Sequence, residues 1–115
     1  MKKQGKAWGE TATLFEGNNV EVHRIVGRSG GFCSVHKHQH KYNMFFVESG
    51  TLKITEWKDD SGTVDETLLK SMDSCVVPPG NKHKFDVLED CVAFEIYWVT
   101  LNPKDIQREV YGGMK

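Results

Sequence analysis

Hydrophobic and polar residues alternate in short stretches along most of the chain, and turn-forming residues separate these stretches. A period of two is typical of half-buried β-strands. The pattern predicts nine strands, at residues 12–15, 20–26, 32–38, 43–47, 51–57, 64–69, 74–77, 83–87 and 91–100. Ser49-Gly50 predicts a hairpin turn, and residues 103–108 a single turn of helix. Many short strands at regular spacing favour an all-β sandwich or a closed barrel.

Composition and charge narrow the class of protein. A chain of 115 residues predicts one domain, residues 1–115. The formal net charge of −1, with no block of one sign, argues against a nucleic-acid partner. No apolar run approaches the roughly 18–20 residues of a membrane span, and the first residues lack the apolar core of a secretion signal. The three cysteines include no C-x-x-C, as expected for reduced thiols in a cytosolic protein. We therefore expect a cytoplasmic protein without a membrane partner.

Three histidines carry the candidate chemistry. His36 and His38 are two apart on the predicted strand 32–38, so their side chains leave the same face. Alternate positions on a strand lie roughly 6.5–7 Å apart, which lets two imidazoles reach one metal ion. A pair of this kind also occurs as two surface histidines. The rigid turn at Pro78-Pro79-Gly80 is followed by His83 on the next strand, where a third imidazole can join the first two.

The spacing of these residues resembles the two motifs of the cupin family. Residues 30–50 match the first motif at Gly30, His36, His38 and Gly50. Residues 72–87 match the second, through the Asp73 to His83 stretch with its Pro-x-Gly turn. The resemblance implies a cupin double-stranded β-helix, a jelly-roll barrel with short N- and C-terminal arms. It also implies that His36, His38 and His83 bind one divalent metal ion.

Departures from the cupin motifs affect the metal. Asn43 stands where the family usually has a metal-binding glutamate, and Met72 and Val87 replace a glycine and an asparagine. Asn43 remains a candidate fourth ligand through its amide oxygen, but it brings no charge. Three neutral imidazoles favour a transition metal (Zn, Fe, Ni, Mn or Cu) over Mg, together with an anionic ligand. The alternative is a cupin that has lost its metal.

A second resemblance covers nearly the whole chain. Lys6-Ala7-Trp8-Gly9 at the start and residues 105–112 at the end are similar to the segments that flank the cupin module of type II phosphomannose isomerases. The run 34–41 and the strand Phe94-Glu95-Ile96 are also similar to that family. The resemblance implies a sugar-phosphate substrate, with Lys41 and Arg108 as candidate phosphate-binding residues. Arginine offers phosphate two donors, and lysine a point charge.

Three functions remain open. A sugar-phosphate isomerase or epimerase would need a base, for which His40, Glu95 and Lys41 are candidates; His40 could instead be a further ligand or a rim residue. A three-histidine iron dioxygenase would suit an apolar barrel lined by Phe32, Phe45, Val47 and Phe85. A ligand-binding module without turnover would fit the uncharged Asn43. In each case we expect a small-molecule ligand and a homodimer formed through an outer sheet face near Trp98.

Overall fold

All the strand pairs in the described part of the chain are antiparallel. The computed structural model describes residues 2–99 and 114, and in that part of the chain it contains strands and turns but no helix. The strands are β1 Lys2–Lys6, β2 Gly9–Glu16, β3 Val20–Gly27, β4 Tyr42–Trp57, β5 Val64–Leu69, β6 Ser74–Val77 and β7 Lys82–Trp98. The all-β prediction is confirmed. No helix within the described residues is long and apolar enough to cross a membrane.

The sheet is ordered β1-β2-β3-β7-β4-β5, and β6 pairs with the free side of the first half of β4. β4 and β7 are long strands that pair with each other from Tyr42 opposite Trp98 to Trp57 opposite Lys82. The register shifts between Val47 and Leu52, where β4 bends. The bend lets the second half of β4 pair with β5, while the first half pairs with β6.

The hairpin predicted at Ser49-Gly50 is wrong, because the chain continues through Gly50 as one strand. The segments 43–47 and 51–57 pair with β7 rather than with each other. Gly50 has a φ of +84°, and a Cβ atom there would lie 2.1 Å from the carbonyl oxygen of Asp90. The glycine therefore marks a bend that lies tightly against β7, which a turn signal in the sequence does not distinguish from a hairpin.

The other predicted strands agree with the structure to different degrees. β5 and β6 have the predicted bounds, whereas the entirely exposed β1 has no apolar alternation and was not predicted. The predicted strand 32–38 does not form, and only Phe32 and His36 make isolated bridges, to Asp86 and His83. The predicted helical turn at 103–108 lies outside the described residues.

The core is the inner face of this bent sheet. Its fully buried side chains come from β3, the two halves of β4, the ends of β5 and β6, and β7. Phe45 and Phe85 are the largest, and Trp8 packs edge-on against Phe85 with ring centroids 5.0 Å apart. Burying one such side chain contributes about 1.5–3 kcal/mol. The interior also contains buried polar side chains, among them those of Asn43 and His83.

A row of apolar side chains crosses the outer face of the sheet. Paired positions on five adjacent strands place Val76, Met44, Ile96, Val22 and Phe15 side by side. All five are partly or well exposed to solvent in a single chain. An apolar row of this length on one face is typical of a contact surface.

Met72 occupies the position where the second cupin motif has a glycine, and its backbone has the geometry that favours glycine. Its φ is +72° in the turn between β5 and β6, and its side chain is 71% exposed. A Cβ atom in this left-handed region costs roughly 1–2 kcal/mol. We predict that Met72→Gly raises the free energy of unfolding by about 0.5–1 kcal/mol after the entropy of glycine is counted. Urea denaturation measures the change.

Met72→Ala is the matched control, since it removes the exposed side chain but keeps the Cβ atom. Its free energy of unfolding should stay close to that of the wild type. A Met72→Gly midpoint at or below that of Met72→Ala would contradict the strain explanation.

Candidate metal centre

Backbone pairing between two distant segments brings the predicted histidines together. The amide of His36 donates to the carbonyl oxygen of His83 at 3.1 Å, and the amide of His83 donates back to His36 at 2.8 Å. The amide of Gly80 donates to the carbonyl oxygen of His38 at 2.8 Å. The Pro-Pro-Gly turn and the start of β7 are thus joined directly to the His-x-His segment.

The three imidazoles form a cluster. One ligand nitrogen from each of His36, His38 and His83 lies within 4.8 Å of the other two, and the ring centroids are 4.5–5.6 Å apart. His83 is buried, and the other two are partly exposed. This separation allows the three nitrogens to converge on one ion with small side-chain movements. The assignment of these three as ligands stays a prediction.

Hydrogen bonds at the far side of two rings orient the nitrogens. Nδ1 of His36 donates to the carbonyl oxygen of Ser34 at 2.9 Å, and Nδ1 of His83 donates to that of Asn81 at 3.0 Å. Nε2 of each ring then carries the lone pair, as in most metal-binding histidines, and in His83 it lies 3.3 Å from Nδ2 of Asn43. Nε2 of His38 is buried without a hydrogen-bond partner in the described structure. A buried, unpartnered nitrogen beside two oriented imidazoles fits a divalent metal ion.

Burial favours the neutral form of two of these imidazoles, those of His38 and His83. Burial lowers the pKa of His38 to about 4, with further lowering from the neighbouring His36, His83 and Lys41. Burial also lowers the pKa of His83. Both directions favour the neutral imidazole at neutral pH, which is the form that binds a metal.

Asn43 connects the cluster to a carboxylate on β7. It is fully buried, and its Nδ2 lies 3.3 Å from Nε2 of His83 and 3.4 Å from Oε2 of Glu95. The Tyr97 hydroxyl donates to the same Glu95 oxygen. Burial, followed by the charge of Glu95, raises the pKa of Tyr97, so the phenol stays a donor. The chain therefore has no carboxylate at position 43, but it has one nearby, on the adjacent strand at Glu95.

An open cavity of about 450 Å³ gives access to this region. Its lining includes His36, Glu95 and Tyr97, with Lys6 and Trp8 from the N-terminal hairpin and His23 from β3. The sequence predicts a structural or exposed position for His23. In the structure it lies opposite Glu95 in the β3–β7 pairing and contacts Thr13 and Glu21. The alternation of β3 is the signal that could have found it, because His23 shares the inner face with the buried Ile25.

The expected apolar lining is only half present. Phe32 and Phe85 line the cavity, whereas Phe45 and Val47 belong to the hydrophobic core. Together with His36, Glu95 and Lys6, these side chains give the cavity a mixed polar and aromatic wall.

Other predicted site residues lie elsewhere. His40 is exposed and does not line this cavity. The Lys41 ammonium lies 3.7 Å from a Glu21 carboxylate oxygen and 5.7 Å from the centre of the Tyr97 ring, beside a separate cavity of about 70 Å³. Arg108 lies outside the described residues. The catalytic and substrate-binding roles of these three remain predictions.

Comparison with known proteins identifies the family. Residues 2–101 match the family model described as Mannose-6-phosphate isomerase C-terminal. The chain belongs to this family. A mannose-1-phosphate guanylyltransferase from Sinorhizobium fredii is 27% identical over 81 residues, which cover 69% of this chain and 14% of that protein. The chain thus spans only a small part of this relative.

Solved structures with low sequence identity share the fold of this family member. KdgF from Halomonas sp. is 14% identical, with a TM-score of 0.73 over 88% of this chain and 90% of that one. Bacillus subtilis oxalate decarboxylase, whose Mn(II) centres have been studied, is 15% identical, with a TM-score of 0.75 over 85% of this chain and 27% of that one. The predicted cupin jelly roll is confirmed.

We predict that His38→Ala and His83→Ala each lower the affinity for Zn(II) by about 100-fold or more, because each removes one of three ligand nitrogens. Metal content after dialysis against a buffered Zn(II) concentration measures the loss. At a free ion concentration 100 times Kd, the wild type should also gain about 2.7 kcal/mol of stability, and the variants should not.

His40→Ala is the control, because it removes an imidazole from the same segment without touching the cluster. It should keep the wild-type metal content. Equal occupancy in His38→Ala, His83→Ala and the wild type would show that the ion binds elsewhere.

Proposed function

We propose that this member of the Mannose-6-phosphate isomerase C-terminal family is a metal-dependent isomerase or epimerase acting on a sugar phosphate. The observation that carries the proposal is the cluster of three imidazoles next to one cavity, which His36 of the cluster and the Glu95 carboxylate both line. Support for the substrate class comes from the family itself and from the Sinorhizobium relative, which is named for a mannose phosphate. A cavity lined by aromatic side chains and a few convergent polar groups is typical of small-molecule sites.

The ion held by His36, His38 and His83 would polarise a carbonyl or hydroxyl oxygen of the substrate. Its class is a divalent transition metal, Zn, Fe, Ni, Mn or Cu, because three imidazoles suit these ions better than Mg. The Mn(II) centres of oxalate decarboxylase support this class. With no charged ligand among the three, the site retains positive charge and favours an anionic substrate.

Glu95 is the base that we favour among the three candidates. Asn43 and Tyr97 both donate to its Oε2, which fixes the carboxylate and leaves Oε1 as the oxygen that can take a proton from carbon. Lys41 has an acidic neighbour in Glu21, and His40 does not line the cavity. The position of Glu95 in the cavity wall supports its role.

Lys6 is the residue that we favour for the phosphate group. It is the only lysine among the described residues that line the cavity, where it lies at the end of β1 next to Trp8. Its exposed ammonium offers phosphate a point charge. This proposal replaces the expectation for Lys41 and leaves that for Arg108 unchanged.

Metal-loaded protein should interconvert at least one aldose phosphate and its ketose or epimer in a panel of hexose and pentose phosphates. Glu95→Gln should lower kcat by about 10²–10⁴-fold, because the amide cannot accept the proton. Incorporation of deuterium from D₂O at the carbon next to the carbonyl measures the proton transfer directly. Glu48→Gln, at an exposed position on β4, is the control for charge.

The outcomes separate the remaining functions. Calorimetric binding of sugar phosphates with neither turnover nor deuterium exchange would support a ligand-binding module and contradict the isomerase. Oxygen consumption by Fe(II)-loaded protein with diketones or phenolic acids would support a dioxygenase. Full activity of Glu95→Gln would remove Glu95 as the base.

We also propose that two copies of the chain pair through the apolar row on the outer sheet face, Val76, Met44, Ile96, Val22 and Phe15. Met44→Lys places a charge in the middle of the row and should convert a dimer to a monomer in light scattering at micromolar concentration. Leu88→Lys, another exposed apolar position but outside the row, should leave the mass unchanged. A monomeric wild type would contradict the proposal.

A further inference from the structure

A second cavity, of about 430 Å³, lies against the segment that carries His36 and His38. Val35 and Lys37, which alternate with these histidines, line it. The rest of its wall comes from the end of β4, the loop after β4 and the turn before β7: Trp57, Lys58, Asp59, Gly62, Thr63, Gly80 and Lys82. None of these residues lines the cavity beside the imidazole cluster. Its volume is within the range of small-ligand sites.

The charge of this second cavity is positive. Three lysines, Lys37, Lys58 and Lys82, face one carboxylate, that of Asp59. Lys58 is held by Asp65 at 2.8 Å, and this partner raises its pKa. Lys37 and Lys82 have no ion pair with another described side chain. Two ammonium groups are therefore available to an anion in the cavity.

Trp57 adds an apolar aromatic surface to the wall of this second cavity. It is the last residue of β4, lies opposite Lys82 in the β4–β7 pairing, and is only partly exposed. Thr63 lies in the same wall, and its hydroxyl, which is hydrogen-bonded to that of Ser61 at 2.7 Å, can still accept a further hydrogen bond. An aromatic ring beside a hydroxyl and two cations suits a sugar, whose C–H face stacks on the ring while its polar edge is hydrogen-bonded.

Hydrogen bonds hold the rim of the cavity in shape before any ligand binds. Asn81 donates through Nδ2 to Glu56 at 2.7 Å and accepts through Oδ1 from the amide of Asp59 at 3.1 Å. The loop after β4 is closed by the amide of Lys58, which donates to Thr63 at 2.8 Å. A wall that is already ordered costs less entropy when a ligand binds.

We propose that this second cavity binds an anionic sugar, a hexose that carries a phosphate or a carboxylate group. Lys37 and Lys82 contact the anionic group, and Trp57 contacts the sugar ring. The site needs neither the imidazole cluster nor Glu95, so it is independent of the isomerase function proposed above. The second cavity is nevertheless close to the cluster: the amide of Gly80, in the cavity wall, donates to the carbonyl oxygen of His38.

The test is a titration of the full chain, followed by the amide and indole chemical shifts in heteronuclear NMR spectra. Glucose 6-phosphate and glucuronate should each shift the Trp57 indole signal with a saturable dissociation constant, and uncharged glucose should bind at least about tenfold more weakly. Lys37→Gln and Lys82→Gln should each raise the dissociation constant by about tenfold. Comparing phosphate with carboxylate identifies which anionic group the site prefers.

Two variants act as controls. Lys53→Gln makes the same change in net charge on β4, outside both cavities, and should leave the dissociation constant unchanged. His83→Ala without metal should still bind the charged hexoses with wild-type affinity, which separates this site from the metal centre. A folded His83→Ala is established by the dispersion of the same spectra, and His38→Ala replaces it if it is not folded.

Three results would overturn the proposal. The first is binding of inorganic phosphate as tight as that of glucose 6-phosphate, which would remove recognition of the sugar. The second is an equal loss of affinity in Lys53→Gln, Lys37→Gln and Lys82→Gln, which would indicate net charge alone. The third is loss of binding in the histidine variants but not in the lysine variants, which would assign the ligand to the imidazole cluster.

Discussion

The pairing of β4 with β7 along nearly their whole length is the constraint on which the candidate metal centre depends. It sets Asn43 opposite Tyr97, Phe45 opposite Glu95 and Glu56 opposite His83. A slip of the register by one residue would turn every side chain of a strand to the other face of the sheet. The register of this ladder is therefore strongly specified, and it determines which side chains face the interior. The polar groups of the centre and the aromatic core are therefore placed by the same register.

The usual cupin motif has a metal-binding glutamate where this chain has Asn43, and the structure places an amide and a carboxylate at two separate positions. Asn43 is uncharged, and the Glu95 carboxylate lies on the adjacent strand, where Asn43 and Tyr97 hydrogen-bond to it. In the proposed function, the imidazoles would bind the ion and the carboxylate would act as the base. This division follows from one amide at position 43 and one carboxylate at position 95.

The segment 32–41 has cavities on both of its sides because it is not part of a continuous ladder. A few backbone hydrogen bonds, at Cys33, His36 and His38, attach it to the start of β7 and the preceding turn. Its alternating side chains then divide between the cavity with His36 and the one with Val35 and Lys37. Within a paired strand, the same side chains would face a core or bulk solvent. The lack of regular pairing in this described segment therefore leaves its side chains in the walls of two cavities.

The sequence by itself determined the elements that depend on local pattern: the alternation that makes strands, the turn residues, and the two stretches that carry His36, His38 and His83. The tertiary structure decided which strands pair. It joined 43–47 to 51–57 as one bent strand. It also brought four side chains together in the wall of the cavity, those of Lys6, His23, Glu95 and Tyr97, and placed the buried Asn43 beside Glu95. These placements depend on register between strands far apart in the chain, which is set by the total burial and hydrogen bonding of the sheet and leaves no local trace in the order of residues.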